Sequence, residues 1–210
     1  MEALIATHGW PIRTTDPLVV PWPQQGNPAH LHQFQLPEDW LAFIANNAVH
    51  TAVPLIVSAK FRLAQKLYVL AWLEYDLIKA GELAALVALE LALKDRYGGM
   101  FGQQAPMLHA LLRHMVEQDG LTDNQLPFVR RYGGSVLPHL YETDAVRAKR
   151  KASLSPSQTT LAGIRNGLAH GDPFGGLPWS GLLELVRDLI DYAYRDMIAA
   201  MERQRQSLVS

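Results

Sequence analysis

The chain has 210 residues, 49% of them hydrophobic, a formal net charge of −1 and no cysteine. That length suits one domain with an appendage, and that apolar fraction supports a sizeable core. The lack of cysteine excludes a disulfide framework, a thiolate metal site and a cysteine nucleophile. The balanced charge leaves nucleic-acid binding to a local basic patch.

The opening residues, MEALIATHGWPIRTTDP, carry an acid at position 2 and no cationic stretch leading into an apolar one, so no signal peptide is read there. Apolar runs are interrupted by Lys66, Glu74, Asp76, Lys79, Glu82 and Glu90 before reaching the ~18 residues of a membrane span. The expectation is a cytoplasmic protein without a membrane partner.

Six of the 13 prolines fall in the first 37 residues. Proline removes amide donors and restricts the residue before it, so no long helix fits there. Residues 1–37 read as an extended arm with short strands at Leu18–Val20 and Leu31–Phe34, wrapped onto the body through Trp10, Trp22 and Phe34. Pro37 then opens a short helix, with Glu38 and Asp39 where acids favour a helix start. Residues 1–50 form the proline-rich arm and first short helix, and residues 51–210 a helical domain.

From Pro54 to Lys79, Leu63, Leu67, Leu70 and Leu77 make a helical stripe, with a break or bend expected at Gly81. The stretch ELAALVALELALKDRYGG is apolar nearly all round, which predicts a central, buried helix. An amphipathic helix ending at Gly120 and a shorter one within NQLPFVRRYGG follow. YETDAVRAKRKASLSPSQ reads as a polar loop. Ser155 followed by Pro156 reads as a cap and first helical position, starting a helix that stops at Gly171. A turn-rich connector leads to a last helix over about 179–204, with Leu182, Val186, Leu189, Ala193 and Met197 as its stripe. The class is an all-α bundle with a mostly irregular N-terminal arm.

The helix LAGIRNGLAHGD carries the polar residues of greatest chemical interest. At about 100° per residue, Asn166 and His170 share a face. Arg165 lies about 140° from His170 but has a long side chain, and Ile164, Leu168 and Leu161 take the core side. His170 stands at the negative end of the helix dipole, which favours imidazolium. Histidine suits proton transfer near neutrality, and arginine suits a phosphate. A plainer account also fits: His170 as a C-cap, and Arg165 paired with Asp172 or a surface glutamate.

The run IRNGLAHG resembles the signature of the HEPN superfamily: arginine, a polar residue, variable positions, then histidine. Here these are Arg165, Asn166, three residues and His170. The motif comes late in a helical chain, and ALVALELALKDRYG resembles the helix that precedes the motif region in many such proteins. The resemblance spans about residues 55–205 and leaves out the arm. It implies a HEPN-like helical bundle that dimerises so that paired motifs form one cleft. It further implies a metal-independent endoribonuclease that cleaves RNA by attack of the 2′-OH, leaving a 2′,3′-cyclic phosphate and a 5′-hydroxyl. Arg165, Asn166 and His170 would be catalytic, with no cofactor and no metal. Toxin or antiviral-defence roles are common for the family, with an antitoxin or a nucleotidyltransferase as partner. A non-catalytic HEPN module that binds nucleotide, RNA or a protein partner is the alternative.

Arg147, Lys149, Arg150 and Lys151 could guide phosphates toward the motif, with Arg130 and Arg131 extending the rim, or could simply be a solvated loop. His30 and His32, and His109 and His114, lack the spacing or the third ligand of a metal site. Glu90 interrupts an apolar helix; it faces either solvent or the motif, where it would act on Arg165 or His170.

Overall fold

The computed structural model describes residues 5–103, 105–143, 148, 159–172, 176–177 and 179–209. Among them the chain is mostly helical, with one two-stranded sheet. Strands β1 (Leu18–Pro21) and β2 (Leu31–Phe34) pair antiparallel, Leu18 opposite Phe34. Helices α1 (Pro37–Ala45), α2 (Leu55–Leu70), α3 (Leu77–Tyr97), α4 (Leu108–Glu117) and α5 (Pro127–Tyr132) follow. Helices α6 (Leu161–Ala169), α7 (Leu182–Ala193) and α8 (Arg195–Val209) complete the described elements.

The arm wraps the body as its aromatic residues imply. Leu18 and Val20, two apart and therefore on one face of β1, are buried with Trp22, while Trp10 and Phe34 pack against the same core. Two indoles fix it further: Trp22 Nε1 donates to Glu184 Oε2 at 3.0 Å, and Trp72 Nε1 to the carbonyl of Pro11 at 2.9 Å.

Helix α3 is the axis, as its all-round apolarity predicts, and packs against α2, α4, α6 and α7. Gly81 does not break it. The interruption comes earlier, in the turns over 71–76. A Cβ at Gly81 would meet the Tyr68 ring at 2.6 Å, so the missing side chain lets α2 and α3 approach closely. The residues in that contact lie on the buried face of α2. Val57, Phe61, Ala64, Gln65, Tyr68 and Val69 turn inward, and Leu63 of the expected leucine stripe is exposed. A small residue at Ala64 and a flat ring at Tyr68 fit against Gly81, whereas a row of leucines would hold the helices apart.

The expected last helix is two helices. Leu182, Val186, Leu189 and Ala193 are buried as the stripe requires, but Met197 is exposed. No glycine or proline marks the break at Tyr194. Instead, Arg96 Nε donates to the Ala193 carbonyl at 2.8 Å, and the Tyr194 hydroxyl to Asp95 at 2.7 Å. Beyond the break, Arg195 pairs with both oxygens of Asp119.

Helix α7 carries a polar row, buried at Glu184 and Asp188 and half-buried at Asp191. Glu184 accepts from Trp22, Tyr132, Arg131 and Arg187. Asp188 accepts from the Phe128 amide at 2.6 Å and from Arg187. Asp191 accepts from the His50 amide at 2.9 Å. Burial pushes the Asp191 carboxyl up to about 6, against the opposing pull of the His50 amide and Arg187.

Two outcomes follow. Gly81→Val should destabilise the protein by about 2 kcal/mol or more, since overpacking typically costs about 1–3 kcal/mol and valine is a poorer helix former than alanine. Gly81→Ala should cost less, and urea unfolding of the pair measures the difference. The second concerns Asp191. Its folded pKa lies above the unfolded value of 3.8, so the native state holds the proton more tightly and this residue's contribution falls as pH rises from about 4 to about 6. Asp191→Asn removes that loss. Its stability relative to wild type should therefore rise between pH 4.5 and pH 7 by on the order of 1–3 kcal/mol, and unfolding curves at both pH values check it.

Candidate functional site

Helix α6 is short and closed at both ends. Thr160 is extended (φ −121°, ψ 158°) and its Oγ1 accepts from the Gly163 amide at 3.2 Å, which is an N-cap. The helix therefore starts at Leu161; Ser155 and Pro156 lie outside the described residues. At the other end the Gly171 amide donates to Leu168 O at 3.1 Å and the Asp172 amide to Gly167 O at 2.9 Å. Gly171 has φ +84°. Together these make a Schellman ending with glycine in the left-handed position, and His170 is the capping residue.

Leu161, Ala162 and Ile164 are buried, and α6 packs against α3 and α4. Asn166 and His170 are exposed and Arg165 is partly exposed. The structure links Arg165 to Asn166, whose Oδ1 accepts from Nη1 at 3.4 Å. It also joins Arg165 to Glu90: Nη2 lies 3.2 Å from Glu90 Oε2. The other Glu90 oxygen pairs with Lys94 at 2.7 Å. With its side chain only 14% exposed, Glu90 is shielded enough for these contacts to hold the guanidinium in place. Of the two readings of Glu90, the one toward Arg165 is what the structure contains. The plainer pairing of Arg165 with a glutamate and the phosphate-binding reading thus meet in one geometry: an oriented arginine with part of its fork already engaged.

His170 stands apart. It ends the helix one turn beyond Asn166, and its amide donates to Asn166 O at 3.1 Å. The described cavities are not lined by Arg165, Asn166 or His170. The edge can position a donor fork and an imidazole on an exposed surface.

Arg147, Lys149, Arg150 and Lys151 lie outside the described residues. Arg131 pairs through one guanidinium nitrogen with Glu184 and keeps half of its side chain exposed. Arg130 is exposed. The histidine pairs take aromatic contacts: His30 and His32 meet edge-on at 4.6 Å, and His114 packs on Tyr97 at 4.9 Å. No group of three potential metal ligands occurs among the described residues, and no described helix is long and apolar enough to cross a membrane.

Sequence reading missed the Thr160 cap, although its signal is present: a threonine directly before the apolar Leu161. No family model, curated protein or solved structure matches the chain.

The helix ending sets the backbone under His170. Gly171→Ala should cost about 1–2 kcal/mol, the penalty of a left-handed L-residue. Hydrogen exchange should show the amides of His170 and Asp172 losing protection, with α3 unaffected. Unchanged exchange at these two amides would mean that the ending does not depend on Gly171.

Proposed function

We propose that the chain is a HEPN-type, metal-independent endoribonuclease that acts as a homodimer, and that Arg165, Asn166 and His170 carry the reaction. The observation that supports this most is the placement of Arg165. Glu90 and Asn166 hold its guanidinium on the edge of a doubly capped helix that ends at the exposed His170.

The chemistry needs only those groups. The ribose 2′-oxygen attacks the adjacent phosphorus, the bond to the 5′-oxygen breaks, and the products are a 2′,3′-cyclic phosphate and a 5′-hydroxyl. His170 moves a proton in this exchange. The fork of Arg165 stabilises the charge that develops on the phosphate oxygens, and Asn166 keeps the fork in register. A second copy bringing its own Arg165 and His170 doubles the set of groups that one protomer's edge presents to a phosphate. Helix α7 is buried within the protomer, so α8 is the part of the final helical run open to such a copy. A toxin or antiviral-defence role, with an antitoxin or nucleotidyltransferase as partner, follows from the same reading.

A non-catalytic module that binds RNA, nucleotide or protein is the second reading. It is favoured by the engagement of Arg165 with Glu90, which offsets the charge a phosphate would seek.

RNA cleavage in EDTA, with end-group analysis, separates the two. Wild type should cleave without metal and leave cyclic phosphate ends. His170→Ala should lower single-turnover cleavage by about 10²–10⁴-fold, the usual worth of one acid–base group. Arg165→Lys should also fail, because lysine lacks the planar fork, and Asn166→Ala should be milder. Thermal melting of each variant is measured alongside. Cleavage by His170→Ala at the wild-type rate, or cleavage that requires added Mg²⁺, would refute the catalytic reading. RNA bound by wild type but left intact would establish the second.

A further inference from the structure

A cavity of about 640 Å³ lies between β1, the first turns of α3 and Ser180–Gly181. Its volume is within the range of about 300–1,000 Å³ typical of small-molecule sites. Pro21, Tyr68 and Tyr75 supply apolar and aromatic wall, and Asp76, Lys79, Glu82 and Ser180 supply the polar groups. A second cavity of about 300 Å³ shares Pro21, Lys79, Glu82 and Ser180, so the Lys79–Glu82 pair stands at the seam between the two.

The polar groups are unbalanced toward acceptors. Lys79 is the one cation in the described wall, and its Nζ is already 2.9 Å from Glu82 Oε2. The Glu82 side chain is only 14% exposed. Burial pushes its carboxyl up even though the Lys79 ammonium opposes the shift, so one cation does not fully offset the buried charge. Ser180 Oγ is buried with no hydrogen-bond partner among the described residues; such an oxygen is costly unless something occupies its site. Asp76 is exposed and precedes α3 without capping it, which leaves its carboxylate at the cavity's outer edge. Burial, and then the nearby charge of Glu82, push the Tyr68 phenol well up, so its ring stays neutral.

The geometry points to a binding site for a small organic amine, an ammonium head on an apolar body. The head completes the compensation of Glu82, donates to Ser180 Oγ and lies near the electron-rich faces of Tyr68 and Tyr75, where a cation is attracted. The body fills the wall of Pro21, Val20 and Ile78. Anions are disfavoured, because the one cation is held by Glu82 while Asp76 and Glu82 repel them. This site is independent of the α6 edge and of any RNA cleavage.

Three probes that share a ring and differ in charge test it: phenethylamine, phenethyl alcohol and phenylacetate. Each is titrated into the full chain by calorimetry, with tryptophan fluorescence as a second readout, since Trp22 lines the cavity. The amine should bind at least about tenfold tighter than the alcohol, the least a charged hydrogen bond is worth, and phenylacetate should bind weakest. Glu82→Gln should weaken the amine by at least about tenfold and leave the alcohol unchanged. Asp76→Asn, at an exposed position that spares the core, should weaken the amine by about threefold, in line with a more solvated charge, and it serves if Glu82→Gln fails to fold. Equal binding of amine and alcohol, tighter binding of phenylacetate, no binding of any probe at millimolar concentration, or an amine affinity indifferent to both substitutions would overturn the assignment.

Discussion

Glu184, Asp188 and Asp191 place three carboxylates along a helix that is otherwise buried, and much of the protomer is arranged around satisfying them. Taking such charges out of water is costly, and removing one partner of a buried pair typically costs about 3–5 kcal/mol. Here the partners come from distant parts of the chain. Trp22 belongs to the arm, Phe128, Arg131 and Tyr132 to α5, and His50 to the connection before α2. Arg187 bridges Glu184 and Asp188 and also reaches Asn46 and Asn47 at the end of α1. Apolar packing alone would let these segments slide; directional bonds to three fixed carboxylates give each a single place. On that account the arm is part of the folded body, held by the same oxygens that hold α5.

Helix α7 in turn packs on α3, and α3 distributes the remaining polar chemistry along its length. At 1.5 Å per residue, Glu82 and Glu90 stand about 12 Å apart along the axis. The first meets Lys79 beside the cavity, and the second meets Arg165. At the far end Asp95 and Arg96 take Tyr194 and the Ala193 carbonyl, which ends α7 and redirects the chain into α8. The charges of this apolar helix pair either with one another, as Lys79 with Glu82 and Lys94 with Glu90, or with a neighbouring element.

What the sequence made legible was local. The short strand at Leu18–Val20, the all-round apolarity of α3 and the glycine stop at Gly171 are each written in a few adjacent residues, and each is found where it was expected. The failures are tertiary. The leucines of α2 form as good a stripe as the true face, and the close fit of Ala64 and Tyr68 against Gly81 belongs to the packing of α2 on α3. The break at Tyr194 has no punctuating residue, because Arg96 and Asp95 impose it from another helix. The pairing of Arg131 with Glu184 is likewise tertiary, since nothing near Arg131 in sequence announces it. At the α6 edge the residues Arg165, Asn166 and His170 were legible by spacing, whereas the choice of Glu90 as the partner of Arg165 required the packing of α6 on α3.

A helix of nine residues is marginal by itself. Thr160, Gly171 and the buried Leu161, Ala162 and Ile164 make α6 a fixed platform, so the spacing between Arg165 and the His170 backbone does not depend on what approaches it. The two side chains are treated differently. The guanidinium is restrained by Glu90 and Asn166, while the imidazole is exposed at the cap. Under the proposed reading this division is useful. Glu90 keeps the arginine extended and oriented before substrate arrives, and a phosphate then has to compete with only one of its carboxylate oxygens, since Lys94 holds the other. The histidine needs no restraint of that kind if its working position is set by the substrate and by a second copy across the edge. Under that proposal a phosphate engages the arginine of one protomer while a second copy helps to place the imidazole, so the proposed activity belongs to the pair rather than to the single chain.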